Sequence, residues 1–265
     1  DSSATALDEL AERSVAMARS VPEDPFCGLA DKDQLASDFP DLEVCDETEP
    51  SAETLSERAA RAEDAARSVS GVTNSDGAEA GWGRSRVTLA ASNGFRHSRS
   101  GSNHSISVGV VAGENASMEC DYDYASAVFG SDLPPPEDIG RSAGEKAVAR
   151  LNPRKAQSAE VPVVYDSRVA KSLIGHLASA INGNSVARGT TFLKDKMGEK
   201  LFPEAITIVD DPLRRRGLRS KSFDGEGIGT KRLDVIEKGV LTSWILDLRS
   251  ARQLGLVTTG HAARG

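Results

Sequence analysis

The chain has 265 residues, of which 38% are apolar, enough for one large domain or two medium ones, each with its own core. Its formal net charge of −8 opposes a phosphate-backbone footprint, so direct nucleic-acid binding is not expected. No apolar run approaches the roughly 18 residues of a membrane span, and no charged-then-apolar leader precedes the first helical pattern, which predicts a soluble chain without a membrane partner.

The chain starts at Asp1 inside a helical pattern. From Ala4 to Val21, Leu7, Leu10, Ala11, Met17 and Ala18 share one helical face, and Pro22 stops the helix. Residues 22–50, rich in Pro and Asp, read as a linker. Ser51, followed by Glu53 and Thr54, opens a second helix whose Leu55, Ala59, Ala62, Ala66 and Val69 make a narrow, Ala-rich face suited to close packing on a sheet. Between Gly77 and Phe129 the period falls to two, with turns at Asn93-Gly94 and Gly113-Glu114-Asn115, so three or four antiparallel strands are expected. Pro134-Pro135-Pro136 closes that unit, and a helix over 137–151 turns Ile139, Ala143, Ala147 and Leu151 inward.

After a spacer, Val161-Pro162-Val163-Val164-Tyr165 reads as a buried strand, and Asp166 or Ser167 caps a helix that runs to about Ile181 and ends at Asn182-Gly183-Asn184. Residues 206–209 and 240–246 are strand-like, with Glu237-Lys238-Gly239 as the turn before the second. The fold class is therefore α+β: an antiparallel meander flanked by helices over 51–154, then a β-rich unit over 155–265, preceded by a helix over 1–21 and the linker over 22–50. The end at Gly265 lies in a Gly/Ala/Arg stretch without a closing element, and both ends read as cut.

Motifs that would carry chemistry on their own are missing. Cys27, Cys45 and Cys120 are odd in number and widely spaced, so neither a disulfide framework nor a zinc knuckle is suggested, and a reducing cytoplasm is expected. His97, His104, His176 and His261 are scattered; His176 falls beside the Val169, Leu173 and Leu177 face and reads as a packed or hydrogen-bonded core histidine. Gly183-Asn184-Ser185-Val186-Ala187 has the outline of a nucleophile elbow but follows a helix and lacks the last glycine. Gly81-Trp82-Gly83 and Gly225-Glu226-Gly227-Ile228-Gly229 lack the spacing and lysine of a phosphate loop and read as turns. The basic run Arg214-Arg215-Arg216 with Arg219 and Lys221 lies between Asp210-Asp211 and Asp224; it reads as a solvated loop with no assigned partner. Phe223-Asp224-Gly225-Glu226-Gly227 can either hold a backbone turn or grip a peptide.

Taken in order, Asp24-Pro25-Phe26-Cys27-Gly28-Leu29-Ala30, Leu173-Ile174-Gly175-His176-Leu177, Phe223-Asp224-Gly225-Glu226-Gly227, Gly239-Val240-Leu241, Ser250-Ala251-Arg252 and Thr258-Thr259-Gly260-His261-Ala262 resemble the TldD/PmbA family, in its PmbA (TldE) branch. The resemblance spans nearly the whole chain. It implies the end of a first domain, all of a central domain and the beginning of a C-terminal one. It also implies a heterodimeric zinc protease that cleaves unfolded or extended peptides in an enclosed chamber, with the zinc held by a TldD-like partner on a His-Glu-x-x-x-His helix. Aligned through Arg188-Gly189-Thr190, the three motif positions fall here on Ile174, Gly175 and Ser179, so neither a catalytic residue nor a metal is expected in this chain. Phe223, Asp224 and Glu226 are the candidates for substrate or interface contacts. A homodimeric protein that binds peptides or a regulator without proteolysis is the alternative. An older label ties the family to DNA gyrase modulation; the acidic composition argues against gripping DNA.

Overall fold

The computed structural model describes residues 3–263, and the readings at Asp1 and Gly265 lie outside them. Helix α1 (Ala4–Ser20) starts at Ser3, whose hydroxyl accepts the Ala6 N–H, and it buries none of its residues; Leu7, Leu10 and Met17 are all exposed.

The central unit is a two-layer α+β packing. Helix α2 (Ala52–Arg67) is capped by Ser51, and Ala62 and Ala66 are fully buried. Strands β1 (Val72–Ala90), β2 (Arg96–Ala112) and β3 (Glu119–Ala127) form an antiparallel sheet in the order β1-β2-β3. Ile106, Val108, Val110 and Ala112 alternate along β2 and drive their side chains into the core beneath α2 and α3 (Pro136–Ala149). The Ala-rich face does more than meet the sheet. A Cβ at Gly140 would lie 2.0 Å from the Ala62 carbonyl oxygen, and one at Gly144 would lie 2.7 Å from a Val69 methyl, so α2 and α3 touch backbone to backbone.

β3 pairs with β2 only from His104 onward, so Gly83–Ala90 and Arg96–Asn103 project as a two-stranded ribbon. A bare ribbon is weakly stable in water. Residues 22–50 support it. They contain no α-helix or strand beyond the 3₁₀ turn Lys32–Gln34, yet the Ser102 N–H donates to Val44 O, the Ala36 N–H to Gly227 O and the Arg216 N–H to Leu42 O, so the stretch straps the ribbon to the C-terminal part of the chain.

In that part, α4 (Ser167–Ala180) is capped by Asp166 and followed by the short α5 (Gly183–Ala187). Strands β4 (Ile208–Asp210), β5 (Leu233–Glu237) and β6 (Val240–Leu241) make a second antiparallel sheet, and α6 (Leu248–Leu254) closes over it. Ile181, Ile236, Leu241, Trp244 and Leu246 form the core.

Several local expectations change. Residues 161–165 are neither strand nor buried: Val163 is 70% and Val164 93% exposed, Pro162 offers no N–H, and no strand among the described residues pairs with the segment. Of 240–246 only Val240–Leu241 enters a ladder, while Trp244 and Leu246 are buried from irregular backbone. His176 is exposed, because α4 buries no residue and turns that side to solvent. β5 and α6 were not anticipated; the signal for α6 was Asp247 three residues before Ser250, which form a capping box.

The backbone contact at Gly140 yields a stability test. Gly140→Ala should destabilise the protein by about 1–3 kcal/mol or more despite alanine's better helix propensity, because a backbone carbonyl cannot yield like a side chain. Denaturant unfolding would show a lower midpoint; an unchanged or higher midpoint would mean that the helices separate freely.

Candidate functional site

The short segments that carry the resemblance are far apart in sequence and meet at one junction. Asp224 is 2% exposed, and its carboxylate accepts three backbone N–H groups, from Glu226 (2.8 Å) and Ile228 (3.0 Å) on Oδ1 and from Ala262 (2.9 Å) on Oδ2. It thus closes its own turn and ties it to the Thr258–Ala262 stretch. Glu226 Oε2 accepts the Leu248 N–H at the start of α6 (2.9 Å). From α6, Arg252 donates to Leu29 O (2.7 Å) and Arg249 to Asp24 (2.5 Å), which holds residues 24–30 against the helix. Arg249 keeps the Asp24 carboxyl below the usual carboxylate range.

Phe223, also 2% exposed, sits in a cluster of rings. It meets Phe95 at 5.3 Å, His97 at 5.4 Å and Phe39 at 6.0 Å, and Phe39 stacks on His97 at 3.7 Å. Strap, ribbon and C-terminal loop are joined there. Gly227 belongs to the same contact: its φ is 82°, and a Cβ on it would lie 2.8 Å from the Phe95 ring. Of the three sequence candidates, Phe223 and Asp224 are therefore buried in internal contacts and Glu226 bonds the start of a helix.

Beside the ring cluster lies a cleft of about 610 Å³ between the ribbon, strap residues 39–44 and loop residues 218–222. Its charged lining comprises Arg84, Arg99, Arg219, Lys221 and Asp41. Sequence reasoning did not find this cleft, because its walls come from three separate stretches, the last more than a hundred residues from the other two.

Ile174, Gly175 and Ser179 lie on α4, all exposed. The helix is mounted on the central sheet by charge. Arg168 donates to Asp121 (2.6 Å) and to Tyr122 O (2.7 Å) and lies over the Tyr122 ring, while Lys171 bonds the Tyr124 hydroxyl. Burial pushes the Asp121 carboxyl up, but the bonds from Arg168 and from the Tyr122 N–H outweigh it and hold the group below its ordinary value. A hydrophobe, a glycine and a single hydroxyl do not make a zinc donor set, so the residues at these positions do not fit the metal. The histidines stay apart: His104 bonds Asp46 (3.0 Å), His261 bonds Asp210 (2.9 Å) and His97 is stacked on Phe39. Among the described residues, no group of three or more His, Cys, Asp or Glu could hold a metal.

Family models describe the two folded parts: residues 45–151 match the PmbA/TldA metallopeptidase central domain and residues 158–265 the C-terminal domain of the same family. The chain belongs to the PmbA/TldD metallopeptidase family. It is 40% identical over 263 residues to the metalloprotease PmbA of Escherichia coli O157:H7 and 34% identical over 263 residues to the PmbA homolog of Haemophilus influenzae; in each case the match covers 99% of this chain and 58% of the relative. A crystal structure of a candidate modulator of DNA gyrase from Bacteroides thetaiotaomicron superposes with a TM-score of 0.91 at 26% identity, over 98% of this chain and 60% of that one. The chain thus spans somewhat over half the length of these PmbA/TldD relatives.

Two outcomes follow from this geometry. Phe223→Ala should cost about 3–5 kcal/mol, as for other large aromatic truncations in cores, and should speed hydrogen exchange in the strap and the ribbon together; protection lost in only one of them would mean that the rings do not join the two. For Asp121, a folded-state pKa below the unfolded value of about 3.9 contributes stability at pH above 4 that is lost as pH falls through the folded value. Asp121→Asn should therefore lower the melting temperature at pH 7 and narrow the difference from wild type near pH 3.

Proposed function

We propose that this chain is part of a PmbA/TldE-like subunit that performs no hydrolysis itself and works beside a zinc-bearing TldD-like subunit, in the cytoplasm, on unfolded or extended peptides. The observation that carries the reading is the chemistry of α4. Where a zinc helix needs two imidazoles and a water-activating carboxylate, Ile174, Gly175 and Ser179 offer one hydroxyl. Its higher identity to PmbA proteins than to the TldD homolog of Buchnera aphidicola, which is 30% identical over 122 residues, supports the branch.

A non-hydrolytic subunit contributes shape and substrate contacts. β1 is the outer strand of its sheet, and its free edge suits an extended peptide, which would gain main-chain hydrogen bonds with little sequence preference. Phe223, Asp224 and Glu226 serve this surface from behind by fixing the cleft wall beside it. Three cysteines free of disulfides are compatible with a reducing compartment, and no helix of the described residues is long and apolar enough to cross a membrane.

The test uses the purified full-length protein, a TldD-like subunit and an unfolded peptide. Cleavage should require both subunits, and metal analysis should find zinc with the TldD-like one. Cleavage by the present protein alone would overturn the reading, as would a stable homodimer that never associates with TldD.

A further inference from the structure

The basic run that the sequence offers as a solvated loop divides in two in the structure. Arg215 and Arg216 bond Glu43, and Arg216 also bonds Asp132 at 3.0 Å and lies 4.3 Å from the centre of the Phe129 ring, so their charges are consumed outside the cleft. Arg219 and Lys221 line the cleft opposite Arg99 of the ribbon. Within the cleft, Arg84 is neutralised by Glu47 at 2.9 Å, whereas Arg99, Arg219 and Lys221 form no ion pair with any described residue. The guanidinium carbon of Arg99 lies over the Phe223 ring, 5.8 Å from its centre.

We infer that this cleft is a carboxylate-binding subsite for peptides, with Lys221 and Arg99 as its central charges and Arg219 as an outer one. Three cations converge in about 610 Å³ on a molecule whose net charge is −8, so the local excess is opposite in sign to the whole. Lys221 is half-buried. Burial and the neighbouring Arg99 both lower its pKa, against the weaker opposing pull of Asp224 and Asp210, so the folded chain leaves an ammonium partly desolvated beside a like charge. An incoming carboxylate supplies the direct ion pair that no described carboxylate makes with these groups, and the guanidinium of Arg99 can take it through two N–H groups. The ribbon side adds Ser85, which register places on the same face as Arg99. Nucleic acid fits less well, since the chain as a whole carries a net charge of −8. The inference rests on the peptide reading only for the class of the ligand.

Binding is measured on the full-length protein without its partner, so an absence of hydrolysis does not enter the result. Fluorescence anisotropy would compare four labelled ten-residue peptides, Glu-rich or Gln-rich, each with a free or an amidated C-terminus, together with a single-stranded DNA oligonucleotide. A carboxylate subsite predicts that at least one carboxylate-bearing peptide binds at least tenfold more tightly than the amidated Gln-rich peptide. The amidated Glu-rich peptide then reports recognition of side chains, and the free Gln-rich peptide recognition of the terminus. Lys221→Met and Arg219→Gln should each weaken that binding about tenfold, whereas Arg141→Gln, which removes the same charge from α3, should not change it; melting curves check that each variant is folded. Equal affinity for all four peptides, cleft variants no weaker than Arg141→Gln, or tighter binding of DNA than of any peptide would overturn the inference.

Discussion

The Asp224 carboxylate and the Phe223 ring beside it are the contact on which the other parts of this chain depend. Asp224 supplies acceptors to three N–H groups, and leaving such groups buried without a partner costs about 1–3 kcal/mol each, so its removal outweighs the loss of most single apolar contacts. Phe223 adds a fully buried ring in contact with three others, each aromatic pair contributing about 0.5–1.5 kcal/mol beyond area burial. Without this junction the β1–β2 ribbon and residues 22–50 would keep their bonds to each other, such as Ser102 N–H to Val44 O, but lose their aromatic tie to the C-terminal loop. With it, the strap, the ribbon and the α6 region become one frame.

That frame explains why scattered short segments could identify the family. Asp224 bonds the N–H groups of Glu226 and Ala262, Glu226 bonds the Leu248 N–H, and Arg249 and Arg252 of the same helix reach Asp24 and Leu29, so each segment constrains the next although 238 positions separate Asp24 from Ala262. A residue such as Asp224 looks ambiguous in the sequence because a turn-holding carboxylate and a ligand-gripping one need the same neighbours, glycines and an aromatic. Burial separates the two roles, and the adjacent Phe223 is packed by Phe39 and Phe95, which lie more than a hundred residues upstream.

The central α+β unit was legible because its signals are local. Ser51 capping, the period-two run along β2 and the Pro135-Pro136 start of α3 each act within a few residues. The close approach of Gly140 to Ala62 was visible only as small residues on a face, since nothing in the sequence says which helix the face meets. Farther on, the β-rich unit misled where apolar runs were taken as strands. Val161 to Tyr165 has the composition of a buried strand, but a strand also needs a partner edge, and none of the described residues provides one. Trp244 and Leu246 show the converse: they are buried in a core without a ladder, because Ile181 and its neighbours pack around them from a parallel bridge at Asn182 and Ile245.

Charge is distributed by the same frame. On α4, Arg168 and Lys171 meet Asp121 and two tyrosines, and the helix docks with its apolar Val169, Leu173 and Ile174 still facing outward. Docking through charge-assisted bonds fixes the helix without consuming its apolar face, which neither the sheet below nor α5 covers. In the cleft the balance is reversed. There the ring cluster sets the floor position of Arg99, and the Thr230 hydroxyl, bonded to the Lys221 carbonyl, together with the Lys221 N–H on Pro212 O, pins the backbone that carries the ammonium. These positions are thus fixed by neutral groups and ring faces rather than by direct ion pairs, and a cation that no carboxylate bonds remains open to one that enters. An acidic chain that pairs Arg215, Arg216, Arg84 and Arg168 brings three cations without an ion pair, Arg99, Arg219 and Lys221, to one cavity, at the place where the strap, the ribbon and the loop over 218–222 meet.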